Sequence, residues 1–381
     1  MPESAGLTAR EAQRYGRHIV LPEFGPEGQR RLKGSSALVV GLGGLGVPAS
    51  VQLAAAGVGK LGLVDPDIVE LSNLQRQFIF SEADLGCKKV DAARGSLGRV
   101  NPNVGVQAVD AKLTSDNALD IARDYDVIVD STDTLPSRYL ISDACVLLGK
   151  PDVYASVQGF EGMVSVFDAA HGPCYRCLWP EPPAPESVTS CEEAGVSSAV
   201  AGIVGAVQAN QAISLLLGAG APLVGRLLVF NGLDNTFDET KVKKSPSCPA
   251  CGPNRSLTRL IDYEEFCGLK HTPVHARFEI TPEELKESLE AGHEVQLIDV
   301  REPREYATCH IEGARLIPLG QLHSRLGELE SGRPIVVYCH VGVRSATATA
   351  ELRRAGFASA RSLEGGIEAW AARIDPKMAR Y

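Results

Sequence analysis

The residues Ser36–Val40 form a short, largely apolar run closed by Gly41, the length and character of a buried parallel strand. The stretch 47–56 is apolar, carries no charge and ends at Gly57, so it reads as a helix, and Lys60–Val64 as the next strand. The rhythm continues with a strand at 104–109, a helix at 115–123, a strand at 126–130, a helix from Pro136 to Leu148, and strands at 153–157 and 163–167. Alternating strands and helices predict a doubly wound α/β sheet. The most apolar region, 197–220, holds Gln208, Asn210 and Gln211 at its middle and reads as a buried helix, not a membrane span. From 278 a second, smaller α/β pattern begins, with Thr281 as N-cap, Pro282 in the first turn, and strands at 295–300 and 335–338. The stretch 267–275 follows neither period. The chain therefore divides into 1–265, a linker at 266–277, and 278–381.

Between the first strand and its helix lies Gly41-Leu42-Gly43-Gly44-Leu45-Gly46. Gly41, Gly43 and Gly46 sit where a βαβ unit needs a tight turn, close approach of backbone to a phosphate, and close packing of helix on strand. Amides at the helix start, with the positive end of its dipole, make an anion site. Asp65 ends the second strand, where a carboxylate reaches a ribose hydroxyl. A nicotinamide-dependent oxidoreductase has the same turn, so this pattern alone says nucleotide and no more.

Composition narrows the field. The 381 residues carry a formal charge of −9 with a pI near 5.5, which leaves no basic stripe for nucleic acid. The start lacks the basic-then-apolar form of a secretory signal, and the expectation is a cytoplasmic protein without a membrane segment. Ten cysteines then point to metal or thiol chemistry rather than to a disulfide framework.

Four of them form two CxxC pairs, Cys174/Cys177 and Cys248/Cys251. Two such pairs supply four thiolates, a closed tetrahedral site for one structural zinc ion, against the bland alternative of packed cysteines. Cys191 stands outside this grammar, either an inert thiol or a nucleophile. Asp133, after Ser131-Thr132, is either the N-cap of the next helix or a carboxylate for Mg²⁺. Arg17 is a phosphate contact or a solvated helix charge. Cys339 ends a strand and opens Cys339-His340-Val341-Gly342-Val343-Arg344-Ser345 before a helix. Backbone amides and Arg344 around such a thiol favour an anionic sulfur, and the same loop would suit a persulfide, a phosphate or an arsenate.

Residues 7 to about 265 resemble the adenylyltransferases related to ubiquitin-activating enzymes, the MoeB/ThiF-like group. The motifs that carry this are Arg14-Tyr15-Gly16-Arg17, the glycine turn, Asp65, Asn73-Leu74-Gln75-Arg76-Gln77, Lys89, Ser131-Thr132-Asp133, the CxxC pairs and Cys191-Glu192-Glu193-Ala194-Gly195. Residues 278–381 resemble a rhodanese domain through Asp299-Val300-Arg301, His310-Ile311-Glu312-Gly313-Ala314 and the Cys339 loop. The resemblance implies ATP held by Gly41, Gly43, Gly44 and Gly46, with Asp65 on the ribose. It implies Arg76 and Lys89 on the triphosphate, Asn73 near the α-phosphate, and Mg²⁺ on Asp133. Arg17 would reach the partner's nucleotide in a homodimer, Cys191 would capture the carrier, and Cys339 would bear the persulfide. The implied substrate is a small ubiquitin-like, β-grasp sulfur carrier ending in Gly-Gly. A cysteine desulfurase or thiosulfate would supply the sulfur, with a non-catalytic, docking rhodanese as the alternative.

Overall fold

A computed structural model describes residues 6–183, 194–269 and 278–380. They form two compact units, and Cys267 belongs to the first. Phe266 packs edge-on to Tyr139 and Cys267 is buried, so the first unit runs two residues beyond the expected boundary at 265.

The first unit is an eight-stranded sheet in the order β3-β2-β1-β4-β5-β6-β7-β8. β1 (Ser36–Val40) pairs in parallel with β2 (Lys60–Val64) and with β4 (Val127–Asp130). β3 (Gly105–Val109) lies outside β2, and β5 (Asp152–Gln158) continues the parallel set beyond β4. β6 (Glu161–Phe167), β7 (Arg226–Asn231) and β8 (Thr236–Lys241) then run antiparallel as a meander. The apolar runs were legible in advance; the β7–β8 hairpin was not, because every residue of β8 is exposed and shows no alternation.

Helices cover both faces, and one core is built from Leu38, Val40, Ile128, Tyr139 and Tyr154 on one side of the sheet. The other gathers Val39, Leu53, Leu63, Val129 and Val204. The helix Ser198–Leu217 is long and apolar enough to cross a membrane by length and composition, yet it packs on β5, β6 and the helix Gly46–Ala56. Gln208, fully buried on this helix, donates to the carbonyls of Asp130 (2.6 Å) and Val153 (2.8 Å) and accepts from Ser131 Oγ (3.0 Å). A core helix bearing a satisfied amide thus braces the ends of β4 and β5.

The second unit has a five-stranded parallel sheet, β11-β10-β12-β13-β9. β9 is Glu279–Ile280, β10 Gln296–Asp299, β11 Arg315–Leu316, β12 Ile335–Tyr338 and β13 Arg361–Leu363. Thr281 caps the helix Pro282–Glu290 in a reciprocal capping box with Glu284, as the sequence predicts.

Candidate functional site

In the first unit the glycine turn opens at the carboxyl end of β1. Gly41 has φ of 89°, and a Cβ there would meet the Ser131 carbonyl at 2.9 Å; a Cβ on Gly46 would meet the Gly41 carbonyl at 1.8 Å. Only glycine fits either place. A Cβ on Gly43 would meet nothing within 4 Å, so this residue turns its bare backbone to open space, as a phosphate requires. Gly44 lies under the stem of Arg76, whose Cδ would be 3.2 Å from an added Cβ. The structure therefore brings Arg76 onto the turn, and its Nη1 is held by the Ser72 carbonyl at 3.1 Å.

Asp65 is buried and accepts from the Leu42 amide at 2.6 Å and the Asp67 amide at 2.9 Å. Its carboxyl thus fixes the turn itself. Burial pushes its pKa up from the ordinary value, and the charge of Lys89 and the two amides oppose the rise. Lys89 is buried at the start of the helix Lys89–Val100 and pairs with the exposed Asp67 at 2.9 Å. Asn73 is buried in a single helical turn, Leu71–Asn73, and accepts from the Glu70 amide at 3.2 Å.

Asp133 lies beyond β4, exposed, with no hydrogen bond or ion pair among the described residues. It does not cap the next helix: Thr134 does, accepting from the Ser137 amide. Its hard oxygen donors fit Mg²⁺. Beneath it, Asp130 accepts from the Thr132 amide (3.0 Å) and hydroxyl (2.6 Å), and Arg138 donates to the Thr132 carbonyl. Sequence reading missed this support because Asp130 looks like the last residue of a strand.

Arg17 is exposed on the short helix Gly16–Ile19 and touches no partner among the described residues. Its motif neighbours are structural. Arg14 donates to the Val100 carbonyl at 2.9 Å, and Tyr15 is buried with its hydroxyl accepting from Asn101 at 2.7 Å. Cys191 lies outside the described residues.

The sulfur atoms of Cys174, Cys177, Cys248 and Cys251 all lie within 4.8 Å of one another. Three of the spacings are 3.5, 3.9 and 3.3 Å. A tetrahedral ion at about 2.3 Å from each sulfur needs edges of about 3.8 Å, so the quartet fits one soft divalent ion. Hydrogen bonding from Cys174 pulls Cys177 down to about 4, while Cys174 is driven up in return. The site joins the helix Tyr175–Leu178 to the turn near 248.

In the second unit Cys339 follows β12 and is fully buried, with the Gly342 amide 3.1 Å from its sulfur. Gly342 has φ of 103° and caps the helix Val343–Arg354. The carbonyls of Cys339 and His340 receive the amides of Ile367 (2.9 Å) and Glu368 (3.1 Å). Gly366 permits this approach, since its Cβ would meet those carbonyls at 2.5 and 2.3 Å. Arg344 lies in the first turn of the helix Val343–Arg354. It makes two charged bonds, of 2.9 and 2.8 Å, to Glu305, 39 residues away, whose side chain is buried. Its charge holds the loop in place. His340 is buried beside Glu368 at 3.8 Å.

With this geometry in place, residues 15–250 match the family described as ThiF family, and residues 281–373 match the rhodanese-like domain. "Probable adenylyltransferase/sulfurtransferase MoeZ" of Mycobacterium tuberculosis is 44% identical, across 100% of this chain and 97% of that protein. "Adenylyltransferase and sulfurtransferase MOCS3" of Aedes aegypti is 40% identical, across 98% of this chain and 90% of that protein. Among solved structures, Escherichia coli MccB with ATP superposes with a TM-score of 0.56 over 64% of this chain and 75% of that one. At 22% identity it speaks to the fold alone.

Proposed function

The chain belongs to the ThiF family with a rhodanese-like domain after it, and from that premise we propose a two-step reaction on one small carrier protein. It is an enzyme, an adenylyltransferase and sulfurtransferase, in line with relatives matched over the full chain. The dehydrogenase reading of the glycine turn finds no support among them. The substrate we assign is a β-grasp sulfur carrier ending in Gly-Gly. The observation that carries the assignment is the pairing of an open glycine turn at Gly43 with a buried, cradled thiol at Cys339 in one chain.

In the first step the carrier's terminal carboxylate oxygen attacks the α-phosphorus of ATP, and the bond to pyrophosphate breaks. Carboxylate is a poor electrophile, and adenylation gives it a leaving group. The Gly43 backbone receives a phosphate, Arg76 and Lys89 offset charge gathering on the departing pyrophosphate, and Asp65 addresses the ribose. Asn73 would lie by the α-phosphate. Asp133 would hold Mg²⁺, which supplies further charge neutralisation on the phosphates. Arg17, with no partner among the described residues, would serve a second copy's nucleotide in a homodimer.

In the second step the terminal sulfur of a Cys339 persulfide attacks the acyl carbon and AMP leaves. A thiol then cleaves the resulting acyl disulfide, its own sulfur bonding to Cys339, and the carrier departs as a thiocarboxylate. Cys191 is the candidate for that thiol or for an earlier acyl capture, and an external dithiol reduces the disulfide it leaves. A cysteine desulfurase or thiosulfate would recharge Cys339. Zinc is the ion we assign to the four cysteines, and a reducing cytoplasm suits both thiol sites.

Intact-mass spectrometry tests the reading. Gly-Gly-ending carriers from the same genome are incubated with the protein, Mg²⁺-ATP and thiosulfate. One carrier should exchange a single oxygen for sulfur, and its identity fixes the pathway. Carriers that are neither adenylylated nor sulfurated would overturn it.

A further inference from the structure

The last helix of the first unit is held by a buried ion pair that starts inside the cysteine quartet. That helix is Tyr263–Phe266, and the first unit ends one residue later, at Cys267. The chain therefore leaves from it toward the unit that carries Cys339. On its solvent side Glu264 pairs with Lys112 at 2.7 Å, but both side chains are exposed, and such pairs contribute little. On its inner side the Tyr263 hydroxyl donates at 2.6 Å to Oδ2 of Asp143, a fully buried residue of the helix Leu135–Leu148.

A buried carboxylate needs a cation and a bond to each oxygen. Arg176 supplies both, its Nε and Nη2 donating to Oδ1 and Oδ2 at 2.8 Å each. Its guanidinium carbon also lies 4.4 Å from the centre of the Phe266 ring and 5.0 Å from that of Tyr139. Tyr263 and Phe266, the two ends of the last helix, thus rest on Asp143 and on Arg176. Arg176 is itself buried and stands within the first CxxC pair, between Cys174 and Cys177. An ion that grips both cysteines fixes the short turn from which the guanidinium projects. The same turn is tied to the helix Leu135–Leu148 by the Tyr175 amide on Ser142 Oγ (3.3 Å) and the Tyr139 hydroxyl on the Trp179 carbonyl (3.0 Å). Losing the ion therefore loosens Arg176 without detaching it.

We propose that metal loading at the four cysteines and docking of the helix Tyr263–Phe266 are coupled through Arg176 and Asp143. The loaded ion locks the segment from which the chain leaves the first unit, and the stripped site releases it. The inference rests on the zinc reading of the quartet. Coupling of this kind is reciprocal: the ion steadies the helix, and the docked helix must tighten the hold on the ion by the same factor. Tyr263 provides no ligand atom, so an effect of Tyr263 on metal affinity arises only through that coupling.

The test measures zinc affinity of the full chain, by competition with a chromophoric chelator, beside hydrogen exchange. Tyr263→Phe keeps the ring and removes only the hydroxyl bonded to Asp143. It should bind zinc about tenfold more weakly than the wild type. In its zinc-loaded form the Phe266 and Cys267 amides, which donate to the Asp262 and Tyr263 carbonyls, should exchange about tenfold faster. Arg176→Lys, which keeps the charge but not the paired bonds, should shift both readings the same way. Glu264→Gln, on the exposed side of the same helix, should shift neither. Stripping zinc from the wild type should quicken the same two amides, with the helix Lys89–Val100 as the reference for a folded unit. Wild-type zinc affinity in folded Tyr263→Phe and Arg176→Lys would overturn the coupling. So would a stripped chain whose Phe266 and Cys267 amides exchange at the loaded rate. A chain that takes up no zinc would overturn the metal reading itself, and the inference with it.

Discussion

Two strand-to-helix turns in this chain, one proposed to take a nucleotide and one to carry sulfur, are built in opposite ways. The turn at Gly41–Gly46 is left empty: Gly43 faces open space, and the support comes from outside, with Asp65 gripping the Leu42 amide and Arg76 lying over Gly44. The loop at Cys339–Arg344 is filled by its own sulfur, which is fully buried under the Gly342 amide. A diffusing nucleotide needs room and rigid walls. A tethered sulfur is already in place, so the chain closes around it, and Arg344 in the same loop is bonded to Glu305. One local topology is thus left open in one place and filled by its own side chain in the other.

Substituting glycine breaks the two turns unequally. Gly46→Ala drives its Cβ to within 1.8 Å of a backbone carbonyl that cannot yield, and ATP–pyrophosphate exchange should fall by roughly 100-fold or more, about 3 kcal/mol. Gly342→Ala finds its nearest atom at 3.4 Å and bears mainly the unfavourable φ, about 1–2 kcal/mol. Sulfur transfer from Cys339 should drop while exchange is unchanged. Equal losses of exchange in both variants would erase the contrast.

Glu305→Gln removes one member of a largely buried ion pair, a loss of roughly 3 kcal/mol to the second unit. Hydrogen exchange over residues 335–354 should quicken and sulfur transfer should fall, with adenylylation preserved. Unchanged exchange would mean that Arg344 does not anchor the loop.

Asp65 gives the first turn a pH signature. Burial raises its pKa, so on acidification it takes up a proton earlier than an ordinary aspartate and loosens its grip on the Leu42 amide. ATP affinity should therefore decline from a higher pH than a solvated carboxylate would give. Asp65→Asn should remove that step and leave affinity about tenfold weaker throughout.

The smallest effect belongs to Asp152, buried at the start of β5 with neither carboxyl oxygen bonded among the described residues. Burial, with the charge of Asp130 behind it, raises its pKa well above the usual value. A carboxyl that prefers its proton when folded adds stability below the unfolded pKa, and that stability is lost as pH rises through the folded one. Asp152→Leu should raise the urea midpoint at neutral pH and flatten its decline with pH; an unchanged midpoint would contradict this.

Much of this was legible in the sequence, and what was not has physical reasons. β1, β2 and the cysteine quartet announce themselves through apolar runs and through spacing that needs no partner to interpret. The glycine turn is readable because its requirements are local. The pairing of Arg344 with Glu305 was not legible because Glu305 comes from a distant helix, Pro303–Thr308, and a motif does not reveal a partner so far along the chain. The grip of Asp65 on Leu42, and of Gln208 on Asp130 and Val153, likewise exists only across the folded sheet. Thr134 displaced Asp133 as N-cap because neighbouring capping residues differ by one position, below what pattern resolves.

The central claim is that one chain activates a carrier in the first turn and delivers sulfur from the second. Cys339→Ala tests it directly, with pyrophosphate exchange and carrier thiocarboxylate measured in the same reaction. The account predicts exchange at the wild-type rate and no thiocarboxylate. Thiocarboxylate formed at the wild-type rate would contradict it.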